Sequence, residues 1–136
     1  MRIFVVTLGL ALSAHGAQAQ SAQPDCANAQ DQATMSACAA ADYKQADAVL
    51  NATYKQAAAR LKDDTDQHQR LVAAQRAWIA FRDAECAFAA GPSEGGSAYP
   101  MLLAQCRATL TTQRTAALQA HMKCEEGSLD CPIPAD

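Results

Sequence analysis

One stretch of the sequence gathers side chains that could bind another molecule. Gln75, Trp78, Arg82 and Glu85 follow one another at intervals of 3, 4 and 3 residues, which places them on one face of a helix. Trp and Arg contribute much of the binding energy at many protein interfaces. This face is therefore a candidate contact surface for a partner protein.

The alternative for this face is a polar ladder between two antiparallel helices. Asp47 would then reach Arg82, and Asn51 would reach Gln75 or the Trp78 indole. Such a ladder fixes the register of the two helices and satisfies polar groups that packing would otherwise bury alone. We favour this structural role over a binding patch. The ladder comprises Asp47, Asn51, Tyr54, Gln75 and Arg82.

The sequence offers few residues that could bind a metal ion or catalyse a reaction. His68 and His121 could begin a metal site, completed by Asp64 or Asp66, but a solvated histidine pair at the end of a bundle is the commoner arrangement. The sequence has no Ser in a strand-to-helix elbow and no Gly-rich phosphate loop. We therefore expect no metal site and no cofactor, and we expect that the protein is not an enzyme.

The N-terminus reads as a cleaved secretory signal. Arg2 precedes an apolar run that is too short to span a bilayer, and Ala17-Gln18-Ala19 supplies the small-x-small cleavage pattern. Cleavage after Ala19 is preferred to the alternative, a short N-terminal membrane anchor. Losing Arg2 takes the net charge from −3 to −4, which argues against nucleic acid as a partner. The prediction is a periplasmic or secreted protein without a membrane anchor after cleavage.

All six cysteines lie after the predicted cleavage site, and an even number in a small exported domain favours disulfides. A metal cluster is disfavoured because no C-x-x-C pair occurs. Six cysteines allow fifteen pairings. The main alternative to the favoured pairing is an exchange among the first four cysteines, which gather at one end of the predicted bundle. The favoured bridges are Cys26–Cys38, Cys86–Cys106 and Cys124–Cys131.

Apolar spacing predicts three long helices. The first opens at Asp31 as N-cap and runs to about Lys62, with apolar positions at steps of 3 and 4. The second spans about Thr65 to Ala90, with Asp64 as N-cap and Gln67 as its capping-box partner. The third begins after Ser97 as cap and ends near Met122, and Pro100 falls in its first turn.

Short connections make neighbouring helices antiparallel, so the fold class is all-α, a three-helix up-down-up bundle stapled by disulfides. Gly91-Pro92 should end the second helix through a left-handed Gly cap. The helical domain occupies residues 20–123 after the signal peptide, residues 1–19. An irregular tail closed by its own disulfide follows at residues 124–136.

Three sequence blocks follow one another: Cys26 with residues 32–38, then residues 46–54, then residues 71–86, which read LVAAQRAWIAFRDAEC. Together these blocks resemble the LprI family of exported lysozyme inhibitors. Cys106, Arg114 and other matching positions extend the resemblance over residues 25–118. The sequence departs from the member that gave the family its name, since it has no lipid-attachment cysteine and carries the additional tail disulfide.

The resemblance implies an exported binding protein that inhibits lysozyme or another basic cell-wall hydrolase. A rigid projection is needed to enter the cleft that holds a glycosidase's two carboxylates. The loop of residues 91–97 is the candidate, with Ser93 and Ser97 as donors and Glu94 facing a cationic enzyme surface. The alternative is a structural or sensory cell-envelope module without inhibitory activity.

Overall fold

The computed structural model describes residues 24–125 and 127–134, so the predicted signal peptide lies outside the described residues. Three α-helices follow one another: α1 (Gln32–Arg60), α2 (Thr65–Ala90) and α3 (Tyr99–His121). A short 3₁₀ turn, Gly91–Ser93, connects α2 to the loop before α3. The described residues contain no strand, and the predicted all-α, up-down-up bundle is confirmed. No helix within this part of the chain has the length and apolarity needed to cross a membrane.

Side chains cap α1 and α2 where the sequence predicted. Asp31 accepts a hydrogen bond from the Thr34 N–H at 2.9 Å and another from the Thr34 hydroxyl at 2.6 Å. The hydroxyl bond first, and the N–H bond after it, lower the pKa of the Asp31 carboxyl. Asp64 accepts from the Gln67 N–H at 3.0 Å. The expected return bond from the Gln67 side chain does not form. That amide instead donates to the Pro132 carbonyl at 3.3 Å, because the C-terminal tail lies against the start of α2.

Two predicted helix boundaries need correction. Gly91 does not take a left-handed cap but stays right-handed, with φ −47° and ψ −45°, since the chain continues directly into the 3₁₀ turn. The left-handed residue is Gly95, with φ +80°, four positions later. Ser97 does not cap α3. The helix starts after Ala98 without a side-chain cap, and the Tyr99 N–H donates to the Gly96 carbonyl instead.

The core lies mainly between α1 and α3, which run parallel and pack most extensively. Small side chains such as Ala39, Ala57 and Thr111 are buried along these helices and permit their close approach. Contact between α2 and α3 is less extensive, and backbone contact between α1 and α2 is sparser still. Long side chains therefore bridge α1 and α2.

Three disulfides are present in the pairing that the spacing favoured: Cys26–Cys38, Cys86–Cys106 and Cys124–Cys131. Cys86–Cys106 ties the end of α2 to α3, and Cys26–Cys38 holds the N-terminal segment against the start of α1. The C-terminal tail packs against the helices, because Ile133 is only 2 % exposed. It joins Leu61, Leu71 and Leu118 in one buried cluster at the opposite end of the bundle from the α2–α3 loop.

Candidate functional site

A buried arginine organises the polar ladder. Arg82 is only 6 % exposed, and its Nε and Nη2 atoms both lie 3.0 Å from Oδ1 of Asp83. Its Nη1 lies 3.7 Å from Oδ1 of Asp47 on α1. The guanidinium also lies over two rings, 5.4 Å from the centroid of Tyr43 and 5.2 Å from that of Trp78. Ion pairs and cation–π contacts thus surround a charge that burial alone would destabilise.

The ladder extends to α3 through Asp83. Nε of Arg107 lies 3.3 Å from the same Asp83 oxygen, in an ion pair without hydrogen-bond alignment. Sequence reasoning missed both Asp83 and Arg107. Asp83 directly follows Arg82, and neighbouring positions on a helix are not normally expected to share an interaction. Its carboxylate nevertheless serves both arginines.

Gln75 also bonds to α3 rather than to α1. Its Oε1 accepts from Nε of Arg114 at 3.0 Å, whereas Asn51, expected to reach Gln75 or Trp78, donates to Asp47 one turn earlier on its own helix at 2.8 Å. Partial burial of the Arg114 guanidinium lowers its pKa. The antiparallel pairing that favoured Cys86–Cys106 also aligned Gln75 with Arg114, so the sequence held a signal for this bond.

Tyr54, the remaining ladder residue, packs against the buried cluster together with Trp78. Gln75 is 8 % exposed, Trp78 is half-buried, and only Glu85 of the proposed binding face is well exposed. Gln75 and Arg82 are therefore not available as contact residues. Their side-chain contacts lie within the bundle, where Gln75 bonds to Arg114 and Arg82 pairs with Asp47.

The loop after α2 is ordered by its own backbone. The Glu94 N–H donates to the Gly91 carbonyl at 2.9 Å, and the Gly96 N–H donates to the Ser93 carbonyl at 2.9 Å. The Cys86–Cys106 bridge connects the two helices that carry the loop. Glu94 and Ser97 are exposed, and Ser93 is half-buried. The loop thus presents its polar groups on a defined backbone.

Two exposed phenylalanines lie on α2, and the second, Phe88, is three residues before the start of this loop. Phe81 is 54 % and Phe88 80 % exposed. They lie seven residues apart, which puts them on one face of α2 with Ala77 and Ala84, both also exposed. We call these four residues the Phe face. The sequence signal for this face is the spacing of seven between the two phenylalanines, which is two turns of a helix.

The two histidines considered for a metal site provide no cluster. His68 is half-buried and His121 is exposed. Among residues 24–125 and 127–134, no three His, Cys, Asp or Glu side chains gather in a way that could hold a metal ion.

The sequence profile described as "Lysozyme inhibitor LprI" matches residues 24–118. The chain belongs to the LprI family. A protein of Rhizobium meliloti (strain 1021), named as uncharacterized, is 40 % identical over 122 residues, which cover 81 % of this chain and 87 % of that protein. No solved structure matches the chain significantly.

The LprI match covers most of the structural features described above. The family is one of inhibitors and not of enzymes. The match takes in Cys26–Cys38, Cys86–Cys106 and the whole Arg82 ladder, and it ends at Leu118 inside α3. The tail with Cys124–Cys131 lies beyond the matched residues. Three disulfides also fit an oxidising compartment outside the cytoplasm.

Proposed function

We propose that this protein is a periplasmic or secreted inhibitor of lysozyme or a related cell-wall glycosidase. The LprI match over residues 24–118 carries the proposal. Export would follow from the signal-like residues 1–19, and the disulfides are consistent with it.

We further assign the inhibitory surface to the loop of residues 91–97 together with the Phe face. Phe88 supplies a large apolar side chain, 80 % exposed, of the kind that fills a pocket on a partner. Two backbone hydrogen bonds connect Phe88 to the loop. The Gly91 N–H donates to the Phe88 carbonyl, and the Glu94 N–H donates to the Gly91 carbonyl. The apolar side chain of Phe88 and the acidic side chain of Glu94 are thus carried six residues apart on a hydrogen-bonded backbone.

This surface suits a basic hydrolase on electrostatic grounds. The chain after residue 19 carries a net charge of −4, that is −3 with the single positive charge of Arg2 removed, so approach to a cationic enzyme is favourable. Glu94 would meet basic groups around the cleft, and Ser93 and Ser97 could donate to the carboxylate pair inside it. An ordered loop loses less conformational entropy on binding than a flexible one.

The test is a turbidity assay of cell-wall lysis by lysozymes of several classes, with and without the purified protein. We expect the wild type to slow lysis by at least one class. Phe88→Ala and Glu94→Ala should each weaken inhibition, the first by about tenfold or more if Phe88 is an interface anchor.

Val49→Ala is the matched control, because Val49 is an apolar residue on α1 with 48 % exposure. It should leave inhibition unchanged. A wild type that inhibits no lysozyme class would defeat the proposal and favour the alternative, a structural or sensory envelope module. Inhibition that survives both Phe88→Ala and Glu94→Ala would keep the function and move its surface elsewhere.

A further inference from the structure

A cavity of about 230 Å³ opens at the end of the bundle away from the α2–α3 loop. Its inner wall consists of side chains from the buried cluster, each no more than 9 % exposed. These residues come from the α1–α2 turn, α2, α3 and the tail: Leu61, Leu71, Leu118 and Ile133. The interior of the cavity is therefore apolar.

Cationic and donor groups surround the mouth. Arg70, Arg114 and His121 line the cavity; Arg70 and His121 are exposed, and Arg114 is half-buried. Nε of Arg114 is held by Gln75, and no described residue pairs with its terminal nitrogens. Arg70 likewise has no ion-pair partner among residues 24–125 and 127–134. None of the described lining residues carries a negative charge.

We propose that this cavity binds a small amphipathic carboxylate, with its hydrocarbon part against the leucines and its anionic head at Arg70 and Arg114. Guanidinium groups form strong, charge-assisted hydrogen bonds with carboxylates. The volume is below the roughly 300–1,000 Å³ of pockets for drug-sized ligands, so the ligand is of fragment size. A few placed polar groups around an apolar interior are typical of small-molecule sites.

The tail completes the site. Ile133 and Pro132 form one side of the cavity, and the Gln67 amide fastens this side by donating to the Pro132 carbonyl. The Cys124–Cys131 bridge restrains the segment that leads to them. Pro132 and Ile133 lie beyond the LprI match. The cavity as a whole lies at the opposite end of the bundle from the α2–α3 loop, so the site is separate from the proposed inhibitory surface and does not depend on the proposed function.

The experiment titrates octanoate into the oxidised, signal-free protein and follows backbone amides by NMR. Two comparison probes separate the contributions: 1-octanol has the hydrocarbon chain without the charge, and acetate has the charge without the chain. We expect octanoate to shift the amides of Leu71, Leu118 and Ile133 in a saturable way. The affinity of each comparison probe should be lower than that of octanoate by about tenfold or more.

Arg70→Gln should weaken octanoate binding severalfold, and the remaining Arg114 should keep octanoate binding tighter than that of 1-octanol. Arg70 is exposed, so this variant should fold normally. Arg76→Gln is the matched control, since Arg76 is an exposed arginine on the same helix that does not line the cavity. Equal binding of octanoate and 1-octanol would overturn the proposal, as would equal losses in the two arginine variants or shifts confined to other regions.

Discussion

Arg82 on α2 and Asp47 on α1 form the ion pair that links these two helices, with Nη1 and Oδ1 3.7 Å apart. Arg82 is buried, whereas the Asp47 side chain is 40 % exposed. The pair is therefore asymmetric: removing Asp47 leaves a buried cation with one carboxylate, Asp83, in place of two.

Asp47→Ala should lower the free energy of unfolding by about 1–2 kcal/mol, a value reduced by the exposure of Asp47 and by the remaining Asp83 partner. Thermal melting, followed through the fluorescence of Trp78, measures this directly, because Trp78 is the single tryptophan and contacts Arg82. Asp42→Ala is the control at an exposed position on the same helix. If both variants melt like the wild type, the ladder does not stabilise the bundle.

Thr111 and Thr115 form a second informative pair on α3. The Thr111 hydroxyl is fully buried and has no hydrogen-bond partner among the described residues, whereas the Thr115 hydroxyl donates to the Thr111 carbonyl at 3.0 Å. Thr111→Val should therefore stabilise the protein by about 1 kcal/mol, and Thr115→Val should not. Urea unfolding of the two variants gives the comparison. A destabilised Thr111→Val would show that its hydroxyl does find a partner.

The tail should contribute to global stability through Ile133. Ile133→Ala removes a side chain that is 2 % exposed, and it should cost about 2–4 kcal/mol. Leu129→Ala, in the same tail but fully exposed, should have almost no effect. Differential scanning calorimetry separates the two variants. Equal melting temperatures would mean that the tail does not pack on the core in solution.

Acid should weaken the start of α1. The pKa of Asp31 lies below its ordinary 3.8, first because of the hydrogen bond from the Thr34 side chain. The charged Asp31 carboxylate therefore contributes its full stabilisation at pH values above 3.8, and this contribution is lost as the pH falls through the lowered pKa. Asn can cap without titrating, so Asp31→Asn should lose less stability than the wild type between about pH 5 and pH 2. The measurement is the melting temperature of each protein as a function of pH. If the two melting temperatures fall equally over that range, Asp31 does not stabilise α1 through its charged form.

The Cys86–Cys106 bridge should matter for both stability and inhibition. It joins residues 20 apart, and replacing both cysteines with Ala should cost about 2–4 kcal/mol. It should also weaken lysozyme inhibition at temperatures where the variant remains folded, because the loop would then be ordered only on binding.

The Cys124/Cys131 double Ala variant is the control for this experiment. Its bridge spans only 7 residues and lies at the other end of the bundle, so inhibition should persist. Unchanged inhibition in the folded Cys86/Cys106 variant would show that the bridge does not shape the inhibitory surface.

Local information in the sequence determined the three helices and two of the four predicted caps, Asp31 and Asp64. The repeat of apolar residues at steps of 3 and 4 depends only on the geometry of a helix, and Asp31 caps α1 through a residue three positions away. Short connections then required antiparallel neighbours, which brought Asp47 near Arg82 and Cys86 near Cys106. These relationships follow from spacing along the chain.

Tertiary structure decided which of the polar groups aligned by this spacing form bonds across helices, and which apolar groups are buried. Gln75 bonds to Arg114 because α2 approaches α3 more closely than α1. Ile133 enters the core while Phe88 stays in solvent, although composition gives no reason to prefer Ile133. Burial depends on which surfaces meet after the helices assemble, and a tail without periodicity carries no signal for where it will pack.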